Sequence, residues 1–233
     1  MHDDAYWKKR DIKKITVLII AVVLGMPKTL FFNLKYFGIK GLCFPVILSN
    51  KVRLKKMKGS VLLPNKIRFG MIKIGFPAAE MFDNNRLSTI WINDGMIRFE
   101  GTAGIHNGTC IRNYGELIIG NQFHTSSTAM IICYKKIRFQ DNVLLGWDVE
   151  VIDGDAHKIF AIGTDTRLNT DKEICIGSNV WVGSHSTILK GVSIPDDCVI
   201  ASGSMLSKSI TCSNSIVGGY PTRILKNDIE WKV

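Results

Sequence analysis

EICIGSNVWVGSHSTILKGVSIPDDCVIASGSMLSKSI, residues 173–210, is the stretch whose reading decides the fold. Aliphatic residues return at every sixth position: Ile176, Val182, Ile188, Ile194, Ile200 and Leu206. Four residues after each comes a second inward candidate, mostly small or β-branched: Val180, Ser186, Val192, Cys198, Ser204 and Ile210. A helix repeats its apolar face every 3.6 residues and a half-buried strand every 2. A period of six fits neither alone. It fits short strands with a corner after each, every strand sending one aliphatic side chain to a shared axis. No single repeat buries a core; stacked coils do. The expected class is all-β, a parallel β-helix.

The beat extends towards the N-terminus with a longer period. Phe99, Ile105 and Ile111, then Ile119, Thr125 and Ile131, then Phe139, Leu145 and Val151 step by 6, 6 and 8, so equivalent residues recur every 20. This predicts triangular coils with one wider corner, whose extra residues near Tyr114 and Tyr134 sit outside. The β-helix is expected over residues 51–215, opening with the apolar–basic alternation of Lys51–Gly59. Two stretches break the beat and read as loops: 76–87 and 152–173. Residues 216–233 are expected to cap the coil with a short helix after Pro221, because an open end exposes sheet edge and core.

Residues 1–50 lie outside the pattern as an N-terminal arm. Lys8, Lys9, Arg10, Lys13 and Lys14 precede an apolar run, Ile15–Gly25. That run, ended by Met26-Pro27-Lys28, is too short to cross a bilayer, which takes roughly 20 apolar residues. Two readings stand: an arm packed on the coil end or a neighbouring subunit, and a peripheral membrane contact with Phe31, Phe32 and Tyr36 at the interface.

Lys and Arg number 30 against 20 Asp and Glu, a net charge of +10 that suits anionic partners. Nucleic acid is disfavoured, since no aromatic platform is interleaved with the basic residues. Six Cys with no Cys-x-x-Cys pair read as reduced, mostly buried thiols of a cytosolic protein.

Three segments carry a resemblance. Trp181-Val-Gly-Ser-His-Ser-Thr-Ile-Leu-Lys-Gly-Val192, Ala201-Ser-Gly-Ser204 with Lys208, and Gly219-Tyr-Pro-Thr-Arg223 resemble the signatures of the hexapeptide-repeat acyltransferases. Within that family the chain is most similar to sugar O-acetyltransferases, including galactoside acetyltransferase and the enzymes of bacterial capsule and lipopolysaccharide gene clusters, and Asp153-Gly-Asp-Ala-His157 resembles an element of the latter group. The resemblance implies a left-handed β-helix, a homotrimer with sites between subunits, acetyl-CoA as co-substrate, no metal, and a sugar or glycan hydroxyl as acceptor. It implies a location in the cytoplasm, at the inner face of the membrane if the arm touches lipid. Alternatives are N-acetylation of an amino sugar, a zinc carbonic anhydrase of the same fold using His106, His124 and His157, and a non-catalytic scaffold.

Acetyl transfer needs a base, donors for the oxyanion and a slot for the thioester. His157 is the candidate base, oriented by Asp155 or, second, by Asp153. Ser184 matches a position near the thioester carbonyl. The expected CoA contacts are Trp181, Gly183, Ala201, Ser202 and Gly203 along the arm, with Lys208 and Arg223 at the phosphates.

Overall fold

The computed structural model describes residues 12–77 and 86–232, so most of the expected 76–87 loop lies outside the described residues. The chain is a left-handed parallel β-helix. One turn shows the rule. Strands Phe123–Thr125, Met130–Cys133 and Lys136–Phe139 pair in parallel with Leu144–Leu145, Glu150–Ile152 and Ile174–Ile176 of the next turn. Repetition builds three faces, here sheets A, B and C, of nine, seven and six strands among the described residues.

Every aliphatic of the six-residue beat from Ile176 to Leu206 points into the prism and is at most 2% exposed. The second set, Val180 to Ile210, is buried as well. Corners are turned by residues in the left-handed region. Between sheets A and B these are Gly108, Thr128, Asp148, His185 and Gly203; between C and A they are Gln122, Asn142, Asn179, Asp197 and Asn214. Asn and Asp tolerate this conformation because a short polar side chain can bond locally. Here they also bond between coils: Asn142 Nδ2 donates to Asn179 Oδ1 and Asn179 Nδ2 to Asp197 Oδ1, each at 2.7 Å. The wide corner, between B and C, carries Tyr114 and Tyr134 stacked outside the coil with centroids 5.6 Å apart.

Both ends differ from expectation. At the N-terminus the helix Ile12–Phe37 runs through Pro27 unbroken, so the apolar run does not stop at Met26. Packing on both sides of Pro27 holds the axis despite the missing N–H. Gly25 lies so close to the coil that a Cβ would stand 2.1 Å from the Leu48 carbonyl oxygen. The helix also serves the edge of sheet A. Thr29 Oγ1 accepts from Leu48 N at 3.0 Å, and Asn33 donates to Val46 O at 2.7 Å while accepting from Val46 N at 3.3 Å. That edge strand, Val46–Leu48, pairs with Ile72–Phe76, so the coil begins before Lys51. Phe32 is fully buried against Trp91, and Tyr36 accepts a hydrogen bond from Trp91 Nε1, so only Phe31 of the three aromatic residues assigned to lipid is exposed. At the C-terminus the expected helix is absent. Ile216–Gly218 pairs antiparallel with Arg223–Lys226, and this hairpin closes sheet A.

Candidate active site

Two regions carry the expected residues, on different corners of the prism. The first is the corner between sheets A and B in the last turns. Trp181 is 41% exposed on sheet A, in register with Leu144 before it and Val199 after it. Its ring lies 6.1 Å from that of Trp231, whose indole N–H donates to Asn179 O at 2.7 Å. Ser184 turns the corner almost buried, its hydroxyl without a partner among the described residues. Ala201, Ser202 and Gly203 form the corner one turn later. Gly203 has φ +71 and open space where a Cβ would go. Gly183 does not offer such space: a Cβ there would meet Ile200 O and Ser202 N at 2.7 Å, so this glycine serves the stacking of coils. Arg223 lies exposed on the closing strand of the same sheet. Lys208 does not join this group; it follows Met205–Leu206 and stands exposed at the next corner, beyond sheet B.

The second region is the loop between Ile152 and Ile174. Here the expected carboxylate–imidazole pair is not formed. Asp153 is fully buried at the wide corner, and its carboxylate accepts from three consecutive backbone N–H groups: Tyr134 at 2.6 Å, Lys135 at 2.9 Å and Lys136 at 2.6 Å. The Cys133 thiol lies 3.7 Å from it, and burial together with this carboxylate pushes the thiol pKa up. A buried carboxylate needs such donors, and a side chain locked inside the wall cannot reach an exposed imidazole. Asp155 points outward, but to Lys190 Nζ at 2.5 Å and Asn169 Nδ2 at 2.8 Å. The Lys190 ammonium, more than Asn169, holds this carboxyl below the usual range.

His157 is exposed, and its ring has no partner among the described residues. What fixes it is Asn169, whose side chain donates to the His157 carbonyl at 2.7 Å and accepts from Ile159 N at 2.7 Å. Asn169 and Lys190 are the residues that sequence reasoning missed. Asn169 is one more polar residue in a polar loop, and Lys190 counts as part of a repeat. Beside them a groove of about 570 Å³ is lined by Glu150, Asp155, Lys172, Leu189, Lys190 and Ser207 among others.

His106 and His124 stack on sheet A with centroids 6.1 Å apart, while His157 stands on the far corner. Within one chain the three do not converge. The six cysteines are all unpaired, but only Cys133 and Cys198 are buried, fewer than expected, and Cys43 is exposed.

The model of the bacterial transferase hexapeptide, six repeats, matches residues 176–208. Over that segment the chain is similar to the hexapeptide-repeat transferases. Galactoside O-acetyltransferase of Escherichia coli (strain K12) is 33% identical to it over 49% of this chain and 56% of the relative. Polysialic acid O-acetyltransferase of Neisseria meningitidis is 29% identical over 61% of this chain and 64% of the relative. The match thus spans little more than half of these curated relatives. Among solved structures, that of the polySia-specific acetyltransferase NeuO superposes with a TM-score of 0.60 at 21% identity, over 81% of this chain and 79% of that one, a likeness of fold. The family match falls on the segment that holds Trp181, Ser184 and Ala201–Gly203.

Proposed function

We propose that this hexapeptide-repeat protein is an acetyl-CoA-dependent O-acetyltransferase acting on a sugar hydroxyl of a bacterial surface polysaccharide or its precursor. The observation that supports it most is the corner of residues 181–203: an exposed indole, an unpartnered Ser184 hydroxyl and the open Ala201–Gly203 edge, all within the segment matching the family. In this reading the thioester lies along that edge, with Arg223, exposed on the closing strand of the same sheet, as a cation for the phosphates. His157 takes the proton of the sugar hydroxyl as its oxygen attacks the thioester carbonyl. The Ser184 hydroxyl donates to the oxyanion. The intermediate collapses to the acetyl ester, and the CoA thiolate leaves with the proton that the imidazolium returns.

Ser184 and His157 cannot meet within one chain, because the width of sheet B separates their corners. We therefore infer a homotrimer in which the 152–173 loop of one subunit faces the 181–203 corner of the next. Dependence on acetyl-CoA, with six unpaired thiols, suits the cytoplasm.

The test is release of CoA thiol from acetyl-CoA by the purified protein, screened against glycosides, nucleotide sugars and glycan oligomers. A base-labile, ester-linked acetyl product is expected, and an amide product would assign an amino-sugar acceptor instead. His157→Ala is expected to stay folded and trimeric while turnover falls by about 10² to 10⁴. Unchanged turnover in that variant removes the assigned base.

A further inference from the structure

The helix Ile12–Phe37 has one face committed to the coil and more apolar surface than the coil covers. Its committed stripe begins at Ala21 and continues through Gly25, Thr29, Phe32 and Asn33. The distal face carries Ile20, Val23, Leu30, Phe31 and Leu34, all exposed, Val23 and Phe31 by about 60%. Before Ala21 the helix overhangs the body. From Ile15 to Ile20 every residue is exposed, including Val17 and Leu18, which continue the committed stripe yet stay 50% and 40% exposed.

Six consecutive residues go round more than a full helical turn, so this overhang is apolar on every side save Thr16. A protein partner covers one side of a helix. An apolar circumference calls for an apolar phase around it. Charge completes the argument. No charged residue occurs from Ile15 to Pro27, whereas Lys13 and Lys14 precede the segment and Lys35 and Lys40 follow it. Basic residues at both ends of an apolar helix suit an anionic lipid surface.

The structure also assigns an orientation. At about 1.5 Å per residue the helix is long enough to cross a bilayer. Crossing would pull it off the coil, however. Lys28 Nζ donates to Asn50 O at 2.8 Å and Val52 O at 2.9 Å, while Thr29 and Asn33 complete the hydrogen bonding of the Val46–Leu48 edge. Release would orphan these groups and uncover Phe32 and Trp91. We propose that the helix lies along an anionic membrane surface, embedding its overhang and distal face in one leaflet while its other face caps the β-helix. Lying flat, both basic ends reach the same layer of headgroups. The proposal does not depend on the acetyl-transfer reading.

Flotation of the full chain with phosphatidylcholine vesicles, with and without phosphatidylglycerol, tests it. The wild-type protein is expected to float, more with phosphatidylglycerol and less at high salt. The exposed double variant Ile20→Glu with Val23→Glu is expected to lose about tenfold or more of the bound fraction, with its thermal unfolding unchanged. A wild-type protein that stays soluble, and whose assemblies shrink on the double substitution in light scattering, would make the helix face a contact between copies and overturn the proposal. Protection of an N-terminal tag from protease added outside sealed vesicles would also overturn it, since the helix would then cross.

Discussion

Replacing Asp153 separates a wall residue from a member of a catalytic relay. The carboxylate is fully buried and holds the N–H groups of Tyr134, Lys135 and Lys136, the wide corner of the preceding turn. Asp153→Ala leaves three donors without an acceptor. At about 1 to 1.5 kcal/mol each, near the low end of the range for an orphaned buried group, the loss is about 3 to 5 kcal/mol. For a chain of this size that corresponds to a fall in Tm of about 6 to 20 °C. Asp153→Asn keeps one acceptor oxygen but turns an amide donor towards backbone donors, so it is expected to cost at least about 2 kcal/mol. Urea and thermal unfolding followed by circular dichroism measure both. The backbone also links this corner to the loop, since Lys172 N donates to Asp153 O at 2.9 Å. Any activity lost in the variants should therefore track lost structure. If both variants unfold within about 1 kcal/mol of wild type while turnover collapses, the reasoning is refuted and Asp153 acts on the chemistry after all.

Asn169→Ala frees the His157 carbonyl, the Asp155 carboxylate and the Ile159 N–H together. We expect kcat to fall about tenfold or more, because small misplacements of a base are costly, with KM for acetyl-CoA within about twofold and Tm little changed; an equal loss in kcat and Tm would mark Asn169 as merely structural. His106 is held with its pKa below the ordinary value, chiefly by burial and with smaller contributions from His124 and Lys73. The folded state therefore binds fewer protons than the unfolded state below the ordinary imidazole value of about 6.5, and stability should fall as pH drops from there towards the folded value. His106→Gln should flatten that dependence in urea midpoints taken from pH 7.5 to 5, and equal slopes would refute the linkage.

The beat of aliphatics was enough to determine the prism from Phe99 to Leu206, because a parallel coil repeats one environment and its period is written once per strand. The same logic put the extra corner residues near Tyr114 and Tyr134 outside the coil, since a step of 8 instead of 6 leaves residues with no place inside; that the two rings stack came from the structure. Periodicity failed where environment is not local. Pro27 reads as a stop in sequence, yet the helix continues past it, with Gly25 and Asn33 packed on a strand more than ten residues away. The tail after Pro221 has helical spacing, but the open edge of sheet A offers backbone partners that only another strand can use. At the site, spacing put three acid–base groups in one pentapeptide, and tertiary structure divided them. Asp153 turned inward to meet donors from the turn before, Asp155 outward to Lys190 from the turn after, and His157 was left to Asn169. Which face a side chain takes in a loop depends on what the neighbouring turns present to it, and those partners lie from 17 to 35 residues away in the chain.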